Sequence, residues 1–318
     1  MKDEILRLLR NTPAFVSGEE ISRHFKVSRA GIWKAIQELR KDGYEVEAVP
    51  HSGYKLLHAP DKLFPEEIQS GLSAKFVGKK IYHYESLNST MDAAFELAVA
   101  GAAEGTVVVA EGQHKGRGRL GRQWFSPKGK GIYFSLILRP QIRPEEAPRL
   151  TLLSAVAVAE AIRKATGIPA LIKWPNDILA GEKKLGGILT ELNAEVDRVK
   201  FLNLGIGINV NLKNTQLPMR ATSIKNELGN NFSRVELLKA VLEQLEENYS
   251  LYTRQGFKPI IAKWQTLSAT LWKRVKVLSG SGDIEGQAVD IDEDGALIVR
   301  NDHGLMERVV SGDVVRVR

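Results

Sequence analysis

Three arginines stand among glycines in the run 116–122, Gly-Arg-Gly-Arg-Leu-Gly-Arg, as Arg117, Arg119 and Arg122. Glycine lets backbone amides approach an anion closely, and arginine presents a planar fork of N–H donors to phosphate or carboxylate. Such a segment can fold over a negatively charged ligand and shield it from water. A disordered basic surface loop and a nucleic-acid tether have the same composition, and both readings stay open at this point. The chain carries a net charge of +7, and 111–131 alone holds six basic residues against one acid. A basic excess gathered in one segment suits a local anionic ligand better than a uniformly basic nucleic-acid surface.

Other chemistries fail on spacing. The run 116–121 formally matches G-x-G-x-x-G, but a dinucleotide fingerprint needs a helix directly behind it. Here QWFSPKGKG follows, whose proline and glycines block a helix. There is no P-loop sequence and no G-x-S-x-G elbow. His24, His51, His58, His83, His114 and His303 have no metal-ligand spacing, and the chain has no cysteine. Thiolate zinc sites, iron–sulfur clusters, disulfides and cysteine nucleophiles are therefore excluded. No apolar run approaches the about 18 residues that cross a bilayer, and the charged start MKDEILRLLR does not read as a signal peptide.

The elements that must carry the arginine segment read as follows. Over 1–60, Ile5, Leu8 and Leu9 mark one helix, and Ser17 with Glu20 caps a second. Ser28 caps a third, whose apolar stripe is Ile32, Ala35, Ile36 and Leu39. Gly43 stops it, and strands over 44–49 and 54–57 follow, which makes a winged helix-turn-helix pattern. Residues 58–65 read as a linker. From 61 to 270 helices and strands alternate. Strands are expected over 81–84, 106–110, 132–138, 170–174, 185–191 and 199–210. Helices are expected over 91–100, capped by Ser89 with Asp92, then behind Pro148, and behind Ser233. Along 202–210 the apolar residues alternate with Asn203, Gly205, Gly207 and Asn209, so one face is core and the other admits a backbone or a ligand. Residues 271–318 consist of short β-branched runs between turn clusters at 279–283, 292–295, 301–304 and 311–313, which predicts a small all-β barrel.

The run GRGRLGRQWFSPKGKGIYFSLILRP (116–140) resembles the signature loop of the biotin protein ligases. KWPNDI (173–178), KLGGILTE (184–191), GIGINVN (205–211) and ATSI (221–224) resemble that family's further motifs, in order. NST (88–90) ahead of a helix and Gln113 ahead of the loop fit as well. The likeness spans about 80–225, and the N-terminal module is similar to that of the longer class, the bifunctional ligase–repressors. The resemblance implies an α+β chain: a winged helix-turn-helix (1–60), a mixed α/β ligase domain of class II synthetase-like fold (61–270) and an SH3-like β-barrel (271–318).

It also implies an ATP-dependent biotin–[acetyl-CoA-carboxylase] ligase that forms biotinyl-5′-AMP and passes biotin to a carrier-protein lysine. ATP and biotin are the implied substrates, with Mg2+ accompanying ATP and no tightly bound metal. The implied partners are the biotin carboxyl carrier domain and operator DNA, with a homodimer promoted by biotinyl-AMP, no membrane, and a cytoplasmic location. By the same resemblance, Ser89, Thr90, Met91, Gln113, Arg117, Gly118, Arg119 and Lys184 bind biotin or biotinyl-AMP. Arg122, Trp124, Asn176 and Asn209 lie near the nucleotide, Lys184, Arg119 and Asp177 act in catalysis, and Ser28, Arg29, Trp33, Lys34 and Gln37 face DNA. Ordinary roles stand beside these: Ser89 as a helix cap, Trp124 as core, Asp177 as a turn former, Lys184 as a solvated hairpin lysine. Met91 departs from the amide common at its position, and His114-Lys115 from the usual small residues. Two rivals remain, a biotin sensor without ligation and a lipoate ligase on the same scaffold.

Overall fold

The computed structural model describes residues 1–278 and 282–316, which fall into two compact units, Met1–Lys62 and Leu63–Arg318. In the first, helices α1 (Lys2–Asn11), α2 (Gly18–Phe25) and α3 (Arg29–Asp42) precede a hairpin of β1 (Glu45–Val49) and β2 (Gly53–His58). The expected caps form: Ser17 accepts from the Glu20 amide at 3.0 Å and Ser28 from Gly31 at 3.2 Å. Gly43, at φ 104°, ends α3. Ile5, Leu9, Ile21, Ile32, Ile36 and Leu39 are fully buried between the helices. That stripe leaves Ser28, Arg29, Trp33 and Lys34 exposed on α3, with Gln37 half-buried.

The second unit opens with α4 (Pro65–Gln69), β3 (Ile81–Tyr84), α5 (Thr90–Val99), β4 (Val107–Ala110), β5 (Gly131–Leu138) and α6 (Ala147–Thr166). It continues through β6 (Ala170–Lys173), β7 (Asp177–Ala180), β8 (Lys183–Ala194), β9 (Val199–Asn209), α7 (Ile224–Leu228), α8 (Arg234–Gln255) and α9 (Lys258–Leu267). β3 to β9 form one sheet in the order β3-β4-β5-β9-β8-β7-β6, parallel only between β3 and β4. Because side chains alternate along a strand, Val107, Phe134, Leu204 and Ile206 face α6 and α8, whereas Val108, Ile137 and Phe201 face α5. The alternation expected along β9 is present, and the α5 face carries its glycines.

Several elements went unrecognised in the sequence. β7 is four residues long between two turns, α7 is one short turn of helix, α4 begins at Pro65, the end of the expected linker, and α9 carries Pro259 in its first turn. The expected Ser89–Asp92 capping pair is half right: Ser89 accepts from the Met91 amide at 3.2 Å, but the Asp92 carboxylate turns away to Arg117.

The C-terminal all-β module is a five-stranded antiparallel sheet of β10 (Arg274–Leu278), β11 (Ile284–Ile291), β12 (Leu297–Arg300), β13 (Met306–Val309) and β14 (Asp313–Arg316), in the order β13-β12-β11-β10-β14. Of the expected turn cluster 279–283, residues 279–281 lie outside those described. This sheet packs directly against the seven-stranded sheet's region: the buried Trp174 indole donates to the Gly295 carbonyl at 3.1 Å. No helix among the described residues is long and apolar enough to cross a membrane.

Candidate active site

A cavity of about 1490 Å³ opens over the α5 face of the sheet, between the arginine segment, β8, β9 and the C-terminal sheet. Three glycines form much of its floor. Gly205 and Gly207 of β9 sit beside Leu189 and Gly187 of β8. A Cβ on Gly205 would lie 2.6 Å from the Met91 sulfur, and one on Gly207 would lie 2.5 Å from the Trp124 indole nitrogen. Only glycine admits these two side chains so close to the strand.

One end of the cavity is polar and mostly buried. Thr90 donates to Gln113 Oε1 twice, from its amide at 2.8 Å and its hydroxyl at 3.2 Å. Ser135 donates to the Thr90 hydroxyl at 2.9 Å, and Gln113 Nε2 donates to the Ser126 hydroxyl at 2.9 Å. Ser89 is 1% exposed at the start of α5. The arrangement offers hydroxyls and an amide to a small planar polar group, fixed by their mutual hydrogen bonds. Ser126 and Ser135 escaped the sequence reading, because nothing distinguishes a strand serine from its neighbours before the register is known.

The arginine segment folds as a small hairpin. The Trp124 amide donates to the Gly116 carbonyl at 2.9 Å and the Gly118 amide to Arg122 at 2.7 Å. At the tip Leu120 (φ 55°) and Gly121 (φ 72°) take left-handed conformations, and the Leu120 side chain is mostly exposed. Each arginine meets a carboxylate. Arg117 pairs with Asp92 and, at 3.2 Å, with Glu191. Arg119 donates through one nitrogen, Nη1, to Asn176 Oδ1 at 3.3 Å, the Gly312 carbonyl at 3.2 Å and Asp313 Oδ1 at 3.5 Å. Arg122 pairs with the same Asp313. Asp92 was read only as a cap, Glu191 only as the end of a motif, and Asp313 only as part of a turn cluster, since it lies almost 200 residues from the loop.

Lys184 is the second residue of β8, its ammonium 2.5 Å from Asp177 Oδ1 and 5.4 Å from the centre of the Trp124 ring. Lys173 stands 3.9 Å from the other Asp177 oxygen. Asn176 is held by its amide donating to the Ile188 carbonyl at 2.7 Å, and Asn209 donates to Thr222 at 3.0 Å. Ser89, Thr90, Met91, Gln113, Arg117, Gly118, Arg119, Arg122, Trp124, Asn176, Asp177, Lys184 and Asn209 thus line one cavity. Ser28, Arg29, Trp33, Lys34 and Gln37 belong to the separate N-terminal unit.

Behind the polar end lies a buried ion pair that the sequence reading missed. Glu111 and Arg234, each 2% exposed, meet at 2.7 Å, and the Leu63 amide donates to Glu111 at 2.7 Å. Burial pushes the Glu111 carboxyl up, but the His83 imidazole 3.6 Å away, the Arg234 charge and the Leu63 amide outweigh it and hold the group at about 2.

The Biotin/lipoate A/B protein ligase family matches residues 84–211, an HTH domain matches 2–55, and the Biotin protein ligase C terminal domain matches 272–317. The bifunctional ligase/repressor BirA of Bacillus subtilis is 42% identical over 304 residues, covering 94% of this chain and 93% of the relative. Its Escherichia coli counterpart is 31% identical over 318 residues, covering 98% and 95%. The biotin protein ligase of Aquifex aeolicus, solved in complex with biotin and ATP, superposes with a TM-score of 0.66 at 33% identity, covering 75% of this chain and all of that one. The chain belongs to the bifunctional biotin ligase–repressor family.

Proposed function

We propose that the chain is an ATP-dependent biotin–[acetyl-CoA-carboxylase] ligase and a biotin-responsive transcriptional repressor. The observation that carries the ligase reading is the cavity with a hydroxyl-and-amide end, a floor that includes Gly187, Gly205 and Gly207, and a basic end made by the arginine hairpin and Lys184. In this reading Ser89, Thr90 and Gln113 take the ureido ring by hydrogen bonds. The acyl chain runs past Met91 and Trp124, which pack directly on Gly205 and Gly207. The biotin carboxylate reaches Lys184 and Arg119, and Gly118 lets the backbone follow it.

The carboxylate oxygen attacks the α-phosphorus of ATP. A carboxyl–phosphoryl bond forms, the bond to pyrophosphate breaks, and biotinyl-5′-AMP results. Arg117, Arg119, Arg122 and Lys184 offset the charge gathered on the phosphoryl oxygens. Asp177 holds the Lys184 ammonium, and Asn176 holds Arg119. Asn209 and Trp124 belong to the nucleotide's surroundings, and Mg2+ would enter with ATP. The closed hairpin keeps water from the mixed anhydride. The carrier lysine then attacks the acyl carbon, the amide forms, AMP leaves, and the amine gives up a proton.

The exposed face of α3, with Ser28, Arg29, Trp33, Lys34 and Gln37, is the operator-reading surface; such groups reach phosphates and base edges. We take 1–60 as the DNA-binding domain, 61–270 as the ligase domain and 271–318 as the C-terminal domain. Biotinyl-AMP would promote a homodimer on a two-half-site operator, and both partners imply a cytoplasmic location. The test is incubation with biotin, ATP, magnesium and a biotin carboxyl carrier domain, followed by mass measurement of the carrier. One biotin per carrier and stoichiometric AMP are expected. An unmodified carrier, or equal transfer of lipoate in competition, would overturn the reading.

A further inference from the structure

Trp174 opens the turn between β6 and β7 that carries Asn176 and Asp177 to the cavity. It is 2% exposed, and its indole N–H donates to the Gly295 carbonyl, in the turn between β11 and β12, at 3.1 Å. Side chains hold that second turn from three directions. Asp292 Oδ1 accepts from the Asp294 and Ala296 amides, each at 2.9 Å. Asp292 Oδ2 accepts from Arg308 Nε at 2.5 Å, and Arg308 Nη2 donates to Asp294 at 2.7 Å. The other Asp294 oxygen accepts from Arg149 of α6 at 2.9 Å. Gly295 itself has φ 85°, and a Cβ on it would lie 2.7 Å from Leu152 of α6. Only glycine therefore lets the turn sit this close to α6 and aim its carbonyl at Trp174.

Packing alone asks only for a large ring at Trp174. The hydrogen bonds around it do more, because they suspend the segment 174–177 between two supports. On one side Asn176 is tied to β8: the Ile188 amide donates to the Asn176 carbonyl at 3.0 Å, and Asn176 Nδ2 donates to the Ile188 carbonyl at 2.7 Å. On the other side Trp174 is tied to the Gly295 turn. Asp177 follows directly and holds the Lys184 ammonium at 2.5 Å. A shift of the turn is thus passed along the segment to the carboxylate that places Lys184. We propose that the Asp292–Gly295 turn is a positioning device of the C-terminal sheet: through Trp174 it sets Asp177, and with it Lys184, for adenylation. None of its four residues, nor Arg308, lines the cavity among the described residues. The inference rests on the ligase reading for the role of Lys184, whereas the link from the turn to Trp174 does not depend on that reading.

The experiment uses the full chain with Arg308→Gln, Arg308→Lys and Trp174→Phe. The Arg308 side chain is 47% exposed, so its replacement loosens the turn without opening the core. In isotope-labelled protein the indole N–H resonance of Trp174, assigned by its loss in Trp174→Phe, reports the contact with Gly295. Single-turnover release of pyrophosphate from biotin and ATP reports adenylation, and calorimetric titration reports biotin affinity. Arg308→Gln should shift the Trp174 resonance and slow adenylation about fivefold, with biotin affinity within about twofold of the unsubstituted chain. Arg308→Lys should restore at least half of the rate. Trp174→Phe keeps a ring but has no donor, and should slow adenylation about tenfold. A turn that serves stability alone would lower the unfolding midpoint and leave the rate per folded molecule unchanged; that outcome in Arg308→Gln overturns the proposal, as does an unshifted Trp174 resonance. If Trp174→Phe does not fold, the resonance is assigned through the backbone and the two Arg308 variants decide. An unsubstituted chain that releases no pyrophosphate overturns the ligase reading instead, and the resonance alone then decides whether the turn holds Trp174.

Discussion

Arg119 gathers three acceptors onto one nitrogen and leaves the rest of its fork toward the cavity, which makes it the side chain whose removal is felt most directly. Arg119→Ala should slow adenylation by about 10²-fold, the usual cost of one donor to a charged transition state, and let the intermediate escape. Pre-steady-state AMP formation and acyl-adenylate release in solution measure both; wild-type values for both would remove Arg119 from the mechanism. Gly207 makes the opposite kind of prediction. A methyl there would meet the Trp124 nitrogen at 2.5 Å. Gly207→Ala should therefore displace the indole, cost about 1–3 kcal/mol of stability and weaken biotin binding. Calorimetric titration with biotin and urea unfolding check it, and a variant that binds normally would mean the tryptophan has room to move. At this scale the sequence was legible where a residue type was unusual for its setting, as with arginines between glycines. It was silent on the roles of Ser126, Ser135 and Asp313, which come only from what the fold brings beside them.

Elements were legible in proportion to their length and the clarity of their ends. α3 and α8 have a serine cap and a continuous apolar stripe, and β9 alternates over its whole length, so pattern sufficed. β7 has four residues, and α4 and α9 carry a proline in the first turn, a residue that serves equally at a first helical turn and in a linker. The α3 face follows from its stripe: once Ile32, Ala35, Ile36 and Leu39 are inside, Arg29, Trp33 and Lys34 must be outside. Removal of residues 1–60 is expected to abolish operator binding while leaving carrier biotinylation measurable. Electrophoretic mobility shifts with operator DNA, beside the mass assay, test the division; retained DNA binding would mean that α3 is not the reading element.

Across the catalytic unit, stability depends on pH through Glu111. Its carboxyl titrates at about 2 when folded, against an ordinary value of 4.5. A group whose folded value is depressed stabilises the fold above its unfolded value and loses that contribution as pH falls toward its folded one. The catalytic unit should therefore hold its stability from neutral pH to about 5 and lose it progressively between about 4.5 and 2. Glu111→Gln should be less stable at pH 7, because the variant loses the buried charge pair with Arg234, and the gap should narrow in that acid window. Urea unfolding at several pH values measures this, and an equal acid slope in the variant would place the titration elsewhere.

The strip of Gly205 and Gly207 also dictates how the cavity can be re-cut. Because Met91 and Trp124 pack directly on those glycines, extra width for a bulkier acyl group comes from trimming one of these two large side chains. A search for variants that accept enlarged biotin analogues therefore begins with those two positions, and enlarging either glycine works against it.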